Sequence, residues 1–492
     1  MLLGIDIGTS SVKVSVLDTQ TFQCIATAAY PDTEAKIVSL QQGWAEQSPD
    51  QWWEYTQVAI QRLHASGKYD PQAIEAIGIA YQMHGLVLVD AAQQCIRNSI
   101  IWCDSRAVPY GDAAFKALGE KYCLSTLLNS PGNFTASKLA WVKEHEPQVY
   151  KRIDKLMLPG DFIAMKLTGT ITTTPAALSE GMFWNFKEHG ISTVLMEYFG
   201  FDPAFIPEVK NVFDDHGRIT AAAATALSLK PGIPVTYKAG DQSNNALSLH
   251  VMEPGEVAAN AGTSGVIYGV TDALAADPLS RINSFAHVNH RSEQQRIGVL
   301  LCINGAGITS SWVRSMGAGQ TSYADLNRSI EAIPASSDGL FFLPFGNGAE
   351  RMLNNQMIGA ELTGLDFNNH TAAHIYRAGL EGVAHAFRYG LEIMQENSIR
   401  PTVIRAGHAN MFLSDVFAAS FVNTTGIPVE LYENDGSCGS ALGAGIGVGA
   451  FTAGEASAYM KPVKRIEVTD AEQYNDYYQV WKQHLNNHIN HQ

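Results

Sequence analysis

The chain of 492 residues is 46% hydrophobic and only 16% charged, which supplies material for two or three large cores and argues against disorder. Its net charge is −15 at pH 7, and no run of like charge exceeds two residues. That pattern argues against a nucleic-acid or anionic-membrane binder, whose surface needs clustered lysine and arginine. A nucleotide is still a compatible ligand, because backbone amides and a metal ion can hold its phosphates locally.

The cysteines are scattered, without a Cys-x-x-Cys pair or a Cys/His cluster, and this spacing predicts reduced thiols and a cytoplasmic protein. The first hydrophobic stretch, Leu2 to Ile7, contains Asp6 and lacks the basic start of a signal peptide. The most apolar stretch, Ile297 to Val313, is interrupted by Asn304 and Ser310-Ser311, which predicts a strand, a turn and a helix start. The six cysteines are Cys24, Cys95, Cys103, Cys123, Cys302 and Cys438.

In chain order, the first half begins with an apolar strand, a Gly-Thr-Ser turn and a second strand within Gly4–Val14. Alternating and helical apolar periodicity then predicts a mixed α/β arrangement. The further predicted elements are strand Gln23–Tyr30, helix Pro49–His64 and strands Ile74–Ala80, Leu86–Asp90, Ser99–Trp102 and Ile233–Tyr237.

A second Gly-Thr-Ser turn, within Ala258–Tyr268, follows the first at an offset of 254 residues, close to half the chain. Two similar strand–turn–strand segments at this offset predict two similar domains. Turn chemistry favours Gly, Thr and Ser in any case, so two unrelated β-turns are the alternative.

The second half continues the α/β pattern and leads us to predict two domains, 1–245 and 246–492, with a hinge near 240–255 and a cleft between them. Its longest predicted helix carries apolar residues at helical spacing. The predicted elements are strand Ile297–Ile303, a helix from Ile308, helix Thr371–Asn397, strand Thr402–Ala406, helix Met411–Thr424, strand Pro428–Tyr432, helix Gly439–Phe451 and helix Asp470–Ile489.

Two acidic residues stand at places where chemistry is expected. Asp6 lies in an apolar strand before the first turn, where a carboxylate is costly to bury without a partner. We interpret it as a Mg²⁺ ligand beside a phosphate-binding turn, with a turn cap as the alternative. Asp241 follows a predicted strand and precedes a helix. It could be a helix N-cap or a carboxylate that takes the proton of an attacking hydroxyl at the strand end, and its position leaves the two roles even.

An ordered set of motifs makes the chain resemble the FGGY carbohydrate kinases nearly end to end, and within them the xylulokinases. The resemblance implies an α/β fold of two duplicated ribonuclease-H-like domains, as in the actin and hexokinase ATPases, with a cleft between them. It also implies ATP- and Mg²⁺-dependent phosphorylation of a sugar, with D-xylulose and D-xylulose 5-phosphate as substrate and product. The motifs are Gly4–Lys13, Gly43–Gln47, Tyr81–Gly85, Ile101–Arg106, Phe134–Leu139, Leu158–Asp161, Gly240-Asp241, Asn260–Gly265 and Leu343–Phe345.

The same resemblance assigns roles to residues of this chain. Asp241 would be the catalytic base and Asp6 the metal ligand. The residues implied for the sugar are Gln82, Met83, His84, Trp102, Asp104 and Gln242. The residues implied for the nucleotide are Gly8, Thr9, Lys13, Gly262, Thr263, Gly305, Gly407 and Asn410.

Three segments depart from the family pattern. Ala406–Ala409 stands where the family has a Gly-Gly-Gly-Ala adenosine turn, Gln242 follows Asp241 where xylulokinases commonly have Asn, and Thr172–Pro175 replaces Ser-Asp-Ala-Ser. The sugar therefore stays open, with another ketose, an aldonate or a polyol as the alternative (glycerol, gluconate, rhamnulose or fuculose). A chaperone ATPase or a filament protein on the same fold is the rival of another class, and no spare domain for such a role is expected. A small-molecule sugar is the expected partner, and a homodimer is left open.

Overall fold

Two mixed sheets organise the chain, one in each half. The computed structural model describes residues 1–274, 276–316, 322–433 and 435–491. The strands of the first half are β1 (Leu2–Ile7), β2 (Val12–Leu17), β3 (Cys24–Tyr30), β4 (Glu46–Gln47), β5 (Ala76–Tyr81), β6 (Val87–Val89), β7 (Ser99–Ile100), β8 (Lys155–Met157), β9 (Thr172–Thr173), β10 (Trp184–Asn185), β11 (Gly190–Ile191), β12 (Glu208–Val209) and β13 (Val235–Gly240). Its helices are α1 (Pro49–Ala65), α2 (Val108–Leu118), α3 (Glu120–Tyr122), α4 (Thr135–His145), α5 (Pro147–Tyr150), α6 (Pro159–Thr168), α7 (Pro175–Glu180), α8 (Thr193–Phe199), α9 (Ala221–Leu227) and α10 (Asp241–Ser248).

The second half repeats the arrangement of strands and helices. Its strands are β14 (Val257–Ala261), β15 (Gly265–Thr271), β16 (Asn283–Ala286), β17 (Ile297–Ile303), β18 (Phe341–Phe345), β19 (Gly359–Thr363), β20 (Ile404–Gly407), β21 (Val429–Tyr432) and β22 (Lys464–Ile466). Its helices are α11 (Ala306–Met316), α12 (Tyr323–Ser329), α13 (Ala372–Glu396), α14 (Asp415–Thr425), α15 (Gly436–Gly447), α16 (Ala453–Tyr459) and α17 (Ala471–Asn490).

The two sheets share one strand topology. The first has the order β13-β5-β1-β2-β3, and the second contains the matching order β21-β20-β14-β15-β17, extended by β22 and β16 at its edges. In each sheet, the two strands joined by the Gly-Thr turn pair antiparallel. The first strand of that hairpin also pairs parallel with a later strand, which in turn pairs parallel with one more strand. The shared topology confirms the predicted α/β fold with a duplicated domain, and two unrelated turns are thereby excluded.

Local sequence explains where the helices begin. In α1 the Ser48 side chain accepts from the Gln51 N–H, Pro49 occupies the first turn, and Asp50 lies where the helix dipole favours a negative charge. The helix buries Trp52 and Leu63 on the face toward the first sheet. The 3.6-residue spacing of its apolar positions therefore holds the helix on β2 and β3.

Helix α15 lies between β21 and β22 of the second sheet in sequence but packs across the first sheet. Gly4 of β1 and Gly78 of β5 face it, and an added Cβ at either position would overlap a backbone carbonyl oxygen, of Ser437 or Ser440. Ser440 also donates from its hydroxyl to the Ile5 carbonyl over 3.1 Å. Close backbone approach at these glycines thus joins the two halves.

A disulfide joins Cys24 of β3 to Cys438 of α15, with the Cα atoms 6.2 Å apart. The prediction that the cysteines are all reduced is wrong for this pair. A sequence separation of 414 residues gives no sign of the contact, because only the packing of α15 on the first sheet creates it. Cys95, Cys103 and Cys123 are free, as is Cys302.

Helix α10 leads from the first sheet to the second, and the predicted division between 245 and 246 falls inside it. This division stays a prediction. Among the described helices, none has the length and apolar character needed to cross a membrane.

Candidate active site

The first Gly-Thr turn is tied to two residues predicted for the sugar. The Gly8 N–H donates to the Ser11 carbonyl over 3.0 Å and closes the turn. The Thr9 hydroxyl accepts from Nε1 of Trp102 over 2.9 Å and donates to Oε1 of Gln82 over 3.3 Å. Trp102 remains 45% exposed. The structure therefore brings Thr9, Gln82 and Trp102 together at the end of β1 and β5.

Asp6 lies half-buried at the end of β1, opposite Lys13 of β2. Burial, together with the charge of Asp435 and against that of Lys13, raises its pKa to about 6. Nζ of Lys13 lies 3.7 Å from Oδ2 of Asp435. An added Cβ at Gly436 would overlap the Asp6 carboxylate, so the first turn of α15 lies directly against it.

The residues around Asp6 fit a hydrated Mg²⁺. Mg²⁺ keeps several waters and takes one or two carboxylates together with substrate phosphates, and a cation beside Asp6 would offset the charge of Asp435, which adds to the pKa rise that burial causes. Within the described residues, no group of three His, Cys, Asp or Glu side chains forms a protein-only metal site. The residues around Asp6 therefore fit a metal ion that is bound in part by the phosphates of a substrate.

The second Gly-Thr turn is held by the first turn of α11. The Gly262 carbonyl accepts from the Gly307 N–H over 2.8 Å, and the Thr263 carbonyl accepts from the Ile308 N–H over 3.2 Å. Asn410, in the left-handed region with φ +55°, lies beside Gly262, 3.5 Å from where a Cβ would stand. Three of the residues predicted for the nucleotide therefore come together here.

Two further glycines predicted for the nucleotide have packing partners. An added Cβ at Gly305 would overlap the Pro344 carbonyl of β18, so this glycine permits close contact between α11 and that strand. Gly407 ends β20 opposite Tyr432, whose carbonyl accepts from the His408 N–H over 2.7 Å. Contact of Gly305 and Gly407 with a nucleotide stays a prediction.

Asp241 is the first residue of α10, and Gly240 stands before it as the N-cap residue. Its Oδ1 is buried and has no hydrogen-bond partner among the described residues. Burial raises the pKa of Asp241 to about 7, the charge of Asp6 adds to the rise, and hydrogen bonding by Gln242 opposes it. The arrangement yields a carboxylate that can accept a proton near neutral pH.

Met83 and His84 form the loop after β5, and the Met83 side chain lies against Gly240. His84 is held in the left-handed region with φ +61°, and its Nδ1 lies 3.0 Å from the Glu180 carbonyl. Burial lowers its pKa to about 3, so the ring is neutral at physiological pH. Nζ of Lys138 donates to the His84 carbonyl over 2.8 Å. The loop is thereby fixed beside the residue that precedes Asp241.

The predicted sugar residue Asp104 is fully buried. Its carboxylate accepts from the Ala45 N–H over 2.6 Å and pairs with Arg106 at 2.7 Å. Arg106 also pairs with Glu46 at 2.7 Å. The structure places Asp104 in an ion-pair network that supports the loop carrying Trp102, and contact between Asp104 and a sugar stays a prediction.

Glu180 is a buried acid that the motifs did not single out. Its Oε1 would lie 2.5 Å from a Cβ at Gly240, and its Oε2 is buried without a hydrogen-bond partner among the described residues. Burial first, and then the charges of Asp241 and Asp161, raise its pKa well above the usual range. The available signal was a lone acid between the apolar segments 176–178 and 182–184, because such a charge is costly to bury.

Comparison with known proteins gives two matches to family models. The N-terminal domain of the FGGY family of carbohydrate kinases matches residues 1–248, and its C-terminal domain matches residues 257–449. A curated relative, the xylulose kinase of Escherichia coli strain K12, is 28% identical over 447 residues, which are 90% of this chain and 88% of the relative.

Solved structures share the fold over almost the whole chain. The xylulose kinase of Rhodospirillum rubrum superimposes with a TM-score of 0.87 at 24% identity, covering 99% of this chain and 98% of its own. The gluconate kinase of Lactobacillus acidophilus does so with a TM-score of 0.89 at 20% identity, covering 99% and 98%. Because kinases of two different sugars match equally well, the fold alone does not select a substrate.

Proposed function

The chain belongs to the FGGY family of carbohydrate kinases, and from that premise we propose that it phosphorylates D-xylulose to D-xylulose 5-phosphate. The observation that carries the proposal is the loop Gln82–Gly85, whose Met83 side chain lies against Gly240, the residue that precedes Asp241. The similarity to the xylulose kinase of Escherichia coli, at 28% identity over most of both chains, supports the same choice.

We assign Asp241 the role of general base. Its buried Oδ1 accepts the proton of the sugar hydroxyl as that hydroxyl attacks the γ-phosphate of ATP. Burial raises the pKa of Glu180, which lies against Gly240, well above its usual range, so Asp241 is the acid of this part of the pocket to which we assign the proton transfer. The sugar is oriented by the neighbouring residues Gln82, Met83, His84, Trp102, Asp104 and Gln242.

The two Gly-Thr turns bind the nucleotide in this proposal. Gly8, Thr9 and Lys13 contact the phosphates from the first half, and the second half supplies the remaining contacts. Asp6 would hold Mg²⁺ together with ATP, directly or through water, and the bound ion would supply neutralisation of the phosphate charge. The contacts from the second half are Gly262, Thr263, Gly305, Gly407 and Asn410.

ATP is a cytoplasmic phosphoryl donor, and on that ground we propose that the protein acts in the cytoplasm on a small-molecule sugar. A homodimer is the assembly we would test first, by light scattering of the purified protein.

A substrate panel tests the choice of sugar. We expect Mg²⁺-dependent ADP release to be fastest with D-xylulose, because Gln82–Gly85 resembles the motif of the xylulokinases, and slower with gluconate, glycerol and the other ketoses. Release of ADP without added sugar is the control for contaminating ATPase. Faster turnover of glycerol or gluconate than of D-xylulose would overturn the xylulose proposal and leave the carbohydrate kinase in place.

A further inference from the structure

Arg351 of the second half extends to the wall of the first. It lies in a short 3₁₀ helix, Glu350–Leu353, that follows β18. Its Nη2 donates to the Ser130 carbonyl over 3.3 Å and would lie 2.9 Å from a Cβ at Gly132. The guanidinium stands over the ring of Phe134, 5.4 Å from its centroid. The side chain therefore crosses between the halves.

The guanidinium of Arg351 has unused hydrogen-bonding capacity. Its Nη1 is buried and has no hydrogen-bond partner among the described residues. Among the residues that the structure describes, no carboxylate lies within ion-pair distance of the Arg351 guanidinium. Burial lowers its pKa to about 10, although the charges of Glu350 and Asp112 oppose the change, so the group remains charged at neutral pH. A buried cation with an unmade hydrogen bond is unfavourable unless a ligand completes it.

The guanidinium of Arg351 lies close to the Met83–His84 loop. The ring of Phe134, over which it stands, meets the ring of His84 at 4.7 Å between centroids. His84 also contacts Phe285, on β16 of the second half, at 5.3 Å. Arg351 is thus one aromatic ring away from the loop assigned to the sugar, whereas its contacts include neither Gly-Thr turn.

We propose that Arg351 is a sugar-binding residue contributed by the second half, with Nη1 donating a hydrogen bond to an oxygen of the substrate bound beside His84 and Phe134. The inference rests on the proposed function only in that the ligand is a sugar, and it holds for whichever sugar the protein phosphorylates. A charged donor binds a hydroxyl or carbonyl oxygen, and it binds a carboxylate more strongly. Since the remaining sugar contacts belong to the first half, bound sugar links the two halves.

The test compares Arg351→Gln and Arg351→Lys with the wild type, using the sugar that wild type turns over fastest. We expect Arg351→Gln to raise the KM for sugar about tenfold to hundredfold, as loss of a hydrogen bond from a charged group implies, while the KM for ATP stays unchanged. Arg351→Lys keeps a charge over Phe134 but loses the planar guanidinium, so its KM for sugar should lie between that of the wild type and that of Arg351→Gln. Calorimetric titration with sugar alone should show the same order.

Arg388→Gln is the matched control, because Arg388 also stands over an aromatic ring, that of Tyr478 at 4.0 Å, but is satisfied by Thr424 and Asn475 outside the cleft. Its KM for sugar should equal that of the wild type. The proposal is overturned if sugar binds both Arg351 variants as tightly as wild type, or if the KM values for sugar and ATP rise together. Should Arg351→Gln not fold, Arg351→Lys with an unchanged KM for sugar overturns it as well. A wild type that rejects D-xylulose but uses another sugar overturns only the xylulose proposal.

Discussion

The helix start on one side, and burial and a nearby charge on the other, act in opposite directions on the ionisation of the Asp241 carboxylate. The first turn of a helix stabilises a negative charge by a fraction of a kcal/mol up to about 2 kcal/mol, whereas burial and the nearby charge of Asp6 destabilise it. The second pair of effects prevails and raises the pKa to about 7. The result is a group whose basicity matches proton transfer near neutral pH, which an exposed aspartate with an ordinary pKa does not provide.

This basicity predicts a pH dependence. Only ionised Asp241 can accept a proton, so kcat/KM for the sugar should fall tenfold per pH unit on the acid side of the Asp241 pKa. The inflection should lie at about pH 7 or lower, because a cation bound at Asp6 removes one of the two causes of the raised pKa. Initial rates at saturating Mg-ATP over a pH series measure it. A rate that stays constant through the acid range would contradict the assignment.

At the residue scale, sequence patterns predicted the side chains that belong to ordered motifs. Thr9, Gln82 and Trp102 lie far apart in sequence, yet they meet in one hydrogen-bonded group. Arg351 could not be assigned and Glu180 stood out only as an acid between apolar segments, because the significance of both comes from burial and missing partners. Those properties depend on how helices and loops from both halves pack, which no local pattern encodes.

At the scale of elements, α15 determines how the site is assembled. Its first turn lies against Asp6, and its following turns cross β1 and β5 where glycines leave room. Small residues along the helix permit the same approach: Gly443 lies against the ring of Tyr237, where a Cβ would stand 2.5 Å from the ring. The position of the predicted metal ligand therefore depends on close packing between two elements from opposite ends of the chain.

Gly78→Ala tests this packing. An added Cβ would overlap the Ser440 carbonyl oxygen, a backbone atom that cannot rotate away. We expect the free energy of unfolding to fall by about 1–3 kcal/mol, the usual cost of overpacking a core. The midpoint of urea unfolding measures it.

Gly454→Ala is the matched control for this substitution. Gly454 lies inside α16, and an added Cβ would meet nothing within 4 Å. Its unfolding midpoint should stay the same or rise, since Ala favours a helix by about 1 kcal/mol over Gly. Equal midpoints for Gly78→Ala and the wild type would mean that α15 does not rest on the sheet as described.

Elements with one clear apolar period were predicted best. The strand Ile297–Ile303 has the predicted bounds, and the long helix runs over Ala372–Glu396, within one residue of the prediction at each end. The helix predicted at Gly439–Phe451 instead spans Gly436–Gly447, because glycines that normally end a helix are here required by close packing. The helix predicted from Met411 begins at Asp415, where Ser414 supplies the cap.

At the scale of the whole molecule, the two halves contact each other beside the Met83–His84 loop as well as through α15. Asn129 of the first half donates to the Ser284 carbonyl over 2.6 Å, and the Ala286 N–H donates to the Ser179 hydroxyl over 2.9 Å. Both contacts involve β16, next to Phe285. A cleft between two joined domains can exclude water from phosphoryl transfer by closing about its connections.

Closure predicts a change in overall size. With sugar and a non-hydrolysable ATP analogue together, the radius of gyration from small-angle scattering should be smaller than that of the free protein, because the second half approaches the ligands bound to the first. Each ligand alone is the control. An unchanged radius with both ligands bound would contradict closure and favour a preformed site.

Asp241→Asn is the measurement that tests most directly whether the buried carboxylate takes the sugar proton. Asn keeps the size and the hydrogen-bonding capacity but accepts no proton at neutral pH, so turnover should fall by about 10²–10⁴-fold. Calorimetric affinities for sugar and for Mg-ATP should be nearly retained, and the melting temperature should confirm an intact fold. Gly240 and not Asp241 is the N-cap residue of α10, and Asn would replace Asp equally well in any purely structural role at this helix start. Turnover close to that of the wild type would therefore contradict the catalytic assignment of Asp241 and the mechanism built on it.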